Sequence, residues 1–153
     1  MTPSQRLEAL GVALPPAPKA IGAYVPTLLH GGQLLTSGHL PLLPDGTLVR
    51  GKVGADLDLA AGKAAARQAG LAIVASVIAA VGSVDRVARV VKVLGLVNSA
   101  PDFLSHPAVV NGASELFAEI WGPDAGVGVR SSVGVGSLPE GVPVEIEVVF
   151  DVA

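Results

Sequence analysis

Hydrophobic and polar positions alternate most clearly in the last quarter of the chain. Val129, Val133 and Val135 share one face of an extended segment with Ser131 and Ser137, while Arg130, Ser132, Gly134 and Gly136 occupy the other. Further on, Val144, Ile146, Val148 and Phe150 alternate with Glu145, Glu147 and Asp151. A period of two is the signature of a strand with one buried face. The stretch Leu138-Pro139-Glu140-Gly141 between the two runs is turn chemistry, so the pattern predicts a β-hairpin with a turn near Glu140.

The period lengthens elsewhere. Leu57 to Ala80 reads as a long helix with Asp56 as N-cap and Gly82 as its stop. Asp56, Lys63, Arg67 and Gly70 mark a polar stripe on it, and from Leu71 onward it is apolar all round, which predicts a buried end. Asp85 to Val97 is rich in valine and reads as a strand. Pro107 to Trp121 is a second amphipathic helix stopped by Gly122-Pro123. Near the start, residues 24–30 and 33–37 form short β-type runs joined at Gly31-Gly32, a hairpin signal. Pro44-Asp45-Gly46 marks a turn before a short strand at Thr47–Arg50, and Ser4 to Leu10 is a turn of helix ended by Pro15, Pro16 and Pro18. The order ββ(β)–α–β–α–ββ predicts an α+β fold, a mixed sheet with two helices packed on one face. A sheet this apolar needs its other face covered, which makes that face the candidate oligomer surface.

Composition narrows the function classes. At 153 residues the chain is read as one domain, with residues 1–18 as an N-terminal extension. Only 3% of residues are aromatic, so the core must be built from Val, Leu, Ile and Ala. A net charge of −3 and a pI near 5.5 argue against nucleic acid as partner. With no cysteine there is no disulfide, no thiol nucleophile and no Cys-based metal site. Mean hydropathy is +0.60, yet the longest apolar run, Leu71 to Val81, is shorter than the ~20 residues a spanning helix needs. No basic-then-apolar leader opens the chain, and the expectation is a cytoplasmic protein without membrane contact whose excess hydrophobicity serves self-association.

The chemistry-bearing residues are few. Arg130 lies mid-strand, where a guanidinium needs an anion or a route to solvent; a ligand carboxylate and an internal ion pair with Glu147 or Asp151 are both open. Glu145 and Glu147 point the same way, about 6–7 Å apart at strand rise. One of them acting on a water and a merely solvated acidic face fit equally well. Tyr24 is the only tyrosine and a candidate pocket wall. His30, His39 and His106 are dispersed without ligand spacing, so no metal is expected, and Ser37, Ser131 and Ser132 lack a nucleophile elbow.

Four segments together resemble a known family. They are Ile21-Gly22-Ala23-Tyr24-Val25; Thr36-Ser37-Gly38-His39-Leu40-Pro41; Val110-Asn111-Gly112-Ala113; and Arg130-Ser131-Ser132 followed by Leu138-Pro139 and Val144-Glu145-Ile146-Glu147. In order and spacing the chain resembles the RidA family of reactive-intermediate deaminases, also called YjgF-type or L-PSP endoribonuclease-like. The resemblance implies a chorismate-mutase-like fold and a homotrimer with clefts between subunits. It implies Arg130 as anchor for a substrate carboxylate, Glu145 as the residue that positions or activates water, and a backbone contact at Ser132. Tyr24, Ser37 and Asn111 would line the cleft. The implied reaction is hydrolysis of 2-imino acids or their enamines to 2-keto acids and ammonia without cofactor; a non-catalytic module for small carboxylates is the alternative, and an endoribonuclease a third. The chain departs from the family pattern at Ser132, where cysteine is usual, and at Ser114, where a tyrosine is. The long start and the stretch Asn98 to Pro107 mark a divergent branch. In a flat hairpin Arg130 and Glu145 would sit about 15 Å apart along the strands, so a strand bend or a second subunit must bring them together.

Overall fold

The computed structural model describes all 153 residues. Helix α1 (Pro3–Leu10) precedes the strands β1 (Thr27–His30) and β2 (Gln33–Thr36). Then follow α2 (Leu59–Val81), β3 (Val87–Asn98), α3 (His106–Trp121), β4 (Val129–Val135) and β5 (Val144–Val152). The strands form one five-stranded sheet in the order β1-β2-β5-β3-β4.

That order corrects the expected hairpin. β4 and β5 are not neighbours: β3 lies between them, parallel to β4 and antiparallel to β5. β3 carries valine on both faces, and a strand apolar on both sides belongs in the middle of a sheet. α3 supplies the crossover that a parallel β3–β4 pair requires. The first hairpin forms as expected, with β1 and β2 joined at Gly31-Gly32, both at positive φ. The strand expected at Thr47–Arg50 is reduced to a single bridge between Leu42 and Leu48.

The helix boundaries follow local chemistry. Asp58, not Asp56, caps α2, accepting from the Ala61 amide at 2.8 Å, while Asp56 accepts from the Lys52 amide instead. Gly82 closes α2 in the left-handed conformation. The stretch expected to begin a strand at Asp85 first makes a turn of 3-10 helix, Val84–Arg86, capped by Ser83. α1 starts with a capping box between Thr2 and Gln5. Its Ser4 is tied to Asp85 through the amide (2.9 Å) and the hydroxyl (2.6 Å).

α2 and α3 lie side by side on one face of the sheet. The core there joins Ala66, Ile73 and Val77 of α2 with Leu116, Phe117 and Ile120 of α3 and with Val93, Ile146 and Phe150 of the sheet. The long apolar α2 is therefore the core helix of this fold, with most of its apolar length buried. Lys63 and Arg67 pair with Glu115 and Glu119 of α3 along the outer rim, as a polar stripe should. Gly70, read as part of that stripe, instead packs against Ala113 and Leu116.

Contact between the helices depends on Gly112. A Cβ there would overlap the Lys63 carbonyl and crowd the Arg67 amide, which are backbone atoms that cannot turn aside. Gly112→Ala is expected to lower stability by at least about 2 kcal/mol through overpacking, measured by urea unfolding. An unchanged midpoint would show that the helices can move apart freely.

Candidate functional site

Arg130 is aligned with Val93 of β3, and Glu145 with Leu96. Val93 and Leu96 are separated by an odd number of positions, so the two functional candidates point to opposite faces of the sheet. Arg130 points to the helical face; Glu145 points to the open one. Their backbones are roughly 14 Å apart from strand spacing and rise. Neither is where a hairpin would have put it, and one chain cannot bring both to one small molecule.

On the helical face the Arg130 guanidinium reaches across the edge of the sheet to α3. Its Nη1 donates to Asn111 Oδ1 at 2.7 Å and to Ser114 Oγ at 3.2 Å, and Nη2 to the Pro107 carbonyl at 3.4 Å. Pro107, Asn111 and Ser114 form one stripe of the helix at spacings of four and three. All three partners are neutral. The ion pair with Glu147 or Asp151 left open by the sequence is not formed: the ion pairs of the chain are Arg50–Glu140, Lys63–Glu115, Arg67–Glu119 and Arg89–Asp124. Nε has no partner in the chain, so one edge of the guanidinium is held and another is open to an acceptor. Two residues along the same face, Ser132 has a buried hydroxyl oxygen without a hydrogen bond. This cluster joins three of the expected residues, Arg130, Asn111 and Ser132. Ser114 and the Pro107 carbonyl were not foreseen as its partners; their spacing from Asn111 on a helix was the available signal.

On the open face Glu145 sits in a recess of about 170 Å³ with Glu147, Leu94, Leu96 and Gly38. Burial raises the Glu145 pKa above the ordinary carboxylate value, and the neighbouring Glu147 charge adds to the rise. Gly38 makes the recess possible: a Cβ there would lie 2.5 Å from Glu145 Oε1. Ser37 does not offer its hydroxyl proton to the recess. It donates to the Val25 carbonyl at 2.6 Å, while its amide donates to Pro26 at 2.9 Å, which ties the Tyr24 loop to the end of β2. Tyr24 is 48% exposed. Gly38 thus borders the recess of Glu145 and also a separate cavity walled by Tyr24.

The turn that carries Gly38 is held by His39, a residue given no role from sequence. His39 is buried, and its backbone pairs with Ile146 in both directions, at 2.7 and 3.0 Å. Its ring spans 2.7 Å contacts to the Ser37 carbonyl and to Ser76 Oγ on α2. A carbonyl only accepts, so Nδ1 carries the proton and Nε2 accepts from Ser76.

Residues 4–139 match the family model described as "YjgF/chorismate mutase-like, putative endoribonuclease". The chain belongs to the YjgF/chorismate mutase-like family. Among relatives in this YjgF group, protein TCP17 of Trypanosoma cruzi is 41% identical over 145 residues, covering 95% of this chain and 91% of the relative. The 2-iminobutanoate/2-iminopropanoate deaminase of Escherichia coli K12 is 35% identical over 138 residues, covering 90% and 94%. A structure from Shewanella oneidensis, also described as a "putative endoribonuclease", superimposes with a TM-score of 0.94 at 33% identity and covers 99% of this chain and all of that one. E. coli TdcF with bound serine superimposes with a TM-score of 0.65 at 28% identity, covering 90% and 94%. The chain is a RidA-like member with the YjgF fold.

Burial lowers the His39 pKa, opposed in part by the Ser37 carbonyl. The unfolded chain therefore binds a proton at this site before the folded chain does. Stability is expected to fall as pH drops below about 6.5 and to level off below the folded pKa. His39→Gln, followed by urea unfolding between pH 7 and 5, should flatten that slope; an unaltered slope would assign it to another group.

Proposed function

We propose that this protein hydrolyses 2-imino acids to 2-keto acids and ammonia in clefts between the subunits of a homotrimer. One observation carries the reading: a half-buried guanidinium, fixed by neutral oxygens and left without a carboxylate, holds a positive charge ready for one. A planar fork with a free edge suits the carboxylate of a small organic acid. The deaminase relative adds the chemistry, and TdcF with its bound serine shows that a related fold holds a small amino acid.

Subunit contact supplies what one chain lacks. The open sheet face exposes Leu28, Leu35, Val129 and Val133 beside Glu145 and Glu147, and an apolar face of this kind favours a second copy. Packing that face against the β4 edge of a neighbour would bring Arg130 of one copy to Glu145 of the next. Asn111 and Ser114 then hold the guanidinium, and Tyr24 and Ser37 close the other side. Domain extent follows the same reading: residues 1–153 act as one unit, with 1–18 as an extension.

The steps need no cofactor. Arg130 fixes the carboxylate and turns the imine carbon toward Glu145. The substrate reacts as the protonated imine: a water gives its proton to the Glu145 carboxylate as its oxygen bonds to that carbon, and the C=N π pair passes to nitrogen, leaving a neutral amine. Glu145 returns that proton to the amine, making it an ammonium; the regenerated carboxylate then takes the hydroxyl proton as the C=O bond forms, the C–N bond breaks with its electron pair going to nitrogen, and ammonia leaves the 2-keto acid. The raised pKa makes Glu145 a better base than an exposed glutamate at neutral pH. The net charge of −3 and the paired glutamates of the recess disfavour RNA as substrate.

Arg130→Ala is expected to lower kcat/KM for freshly generated 2-iminobutyrate roughly a hundredfold, with Arg130→Lys restoring part of the loss. No acceleration by the unaltered protein over buffer would sink the reading. The acid limb of the pH–rate profile should report Glu145. Glu147→Gln removes the neighbouring charge and should move that limb to lower pH. Co-assembly of Arg130→Ala and Glu145→Gln chains should recover about a quarter of full activity, because one site in four at a shared interface then has both groups. Recovery of none would place both groups within one chain.

A further inference from the structure

The turn at Gly38 borders a second cavity as well as the recess of Glu145. This cavity has a volume of about 260 Å³. Its walls are Ile21, Tyr24, His39, Leu40, Leu42 and Leu48, with Pro18, Lys19 and Gly46 at the margin. Although some of these residues are polar by name, little of the lining has a free polar group. Both His39 ring nitrogens are engaged, by the Ser37 carbonyl and by Ser76 Oγ, so the ring offers only carbon edges to the cavity. The Leu42 carbonyl already accepts from Gln68 Nε2 at 2.6 Å. No carboxylate lines the wall. The rim is Ile21, 88% exposed, and the ring of Tyr24, 48% exposed, whose hydroxyl accepts from the Ile21 amide at 3.5 Å. The one charged group is Lys19, which is exposed and joins no ion pair.

We infer that this cavity receives the side chain of the 2-imino acid, and that the protein favours large apolar side chains over small ones. The inference rests on the deaminase reading and adds the substrate class to it. Gly38 supplies the link: the imine carbon must lie beside Glu145, and the group attached to that carbon then has the cavity next to it. The volume decides the size. A cavity of about 260 Å³ has room for roughly eight or nine waters at about 30 Å³ each. A methyl or ethyl group leaves most of that water in contact with leucine and isoleucine, whereas an isobutyl or benzyl group displaces it and covers Ile21 and Tyr24.

The experiment compares imines released by an amino-acid oxidase from leucine and phenylalanine with those from alanine and 2-aminobutyrate, reading kcat/KM for each. In parallel, calorimetry measures binding of the stable keto acids 4-methyl-2-oxopentanoate, phenylpyruvate, pyruvate and 2-oxoglutarate. A preference of at least about tenfold for the large apolar members in either readout is expected, since discrimination by one or more methylenes in an apolar pocket reaches that level. Ile21→Asp, at an exposed position that the fold does not need, should bring the large-to-small ratio toward one. Turnover without size preference, an unchanged ratio in Ile21→Asp, or tightest binding of the dicarboxylate 2-oxoglutarate would overturn the inference; the last would make Lys19 the determinant. Preferential binding of the large keto acids without turnover of any imine would keep the cavity assignment and remove the deaminase reading instead.

Discussion

A strand presents successive side chains to opposite faces, and that constraint governs this molecule. Arg130 and Glu145 are placed by their alignment with Val93 and Leu96 of the central strand. The parity of those two positions sends a cation to the helical side and an acid to the bare side. Pairing is unbroken from Val93 to Val97, so no bulge reverses it there, and a register slip would turn the whole apolar set of a strand out of the core. The chain therefore places these two groups in separate clusters. One is an arginine held by three neutral oxygens on α3; the other is a glutamate recessed against a glycine. Arg130 and Glu145 are each rooted in a strand, and the turn that carries Gly38 is braced by His39 against Ser76 of α2.

Much of this was legible in the sequence. Period-two alternation put Glu145 and Glu147 on the face away from Ile146 and Val148, where they are. Stop signals such as Gly82 and Gly122 ended the helices at the right places. What failed was pairing. Alternation shows which way a side chain points, and it carries no information about the neighbouring strand. The connection from Gly136 to Pro143 exceeds the roughly 2–5 residues usual for a hairpin. The apolar two-sided character of β3 was the better clue, since such a strand seeks a partner on both edges. The Arg130 partners were partly hidden for a related reason: Asn111 was named from resemblance, while Ser114 and the Pro107 carbonyl emerge only when α3 is laid along β4.

The near absence of aromatic residues has its own structural answer. Where bulk is scarce, backbones approach closely instead. Val110 packs onto β3 at Gly95, the α2 and α3 backbones meet at Gly112, and Gly62 and Gly70 bring side chains of Val53 and Leu116 near the α2 axis. Three of the five aromatic rings cluster, Phe117, Trp121 and Phe150 packing within 5.3 to 6.1 Å of one another. Small residues in the helices thus do what large ones do in other cores, which fits the dense packing that protein interiors require.

The N-terminal helix gives this arrangement a further property. Ser4 is moored to Asp85 beside the end of α2, and the chain next enters regular structure only at Thr27. Pro18, Ile21 and Tyr24 lie between those two fixed points. The segment is pinned along its first half, and its prolines stiffen it further. Val12 and Leu14 pack against the core and Pro15 is buried, so the slack of the stretch carrying Ile21 and Tyr24 is set between Pro15 and the tie of Ser37 to the Val25 and Pro26 carbonyls. A homologue could retune the width of this wall by changing the chain length just after Pro15, without touching Ile21 or Tyr24 themselves.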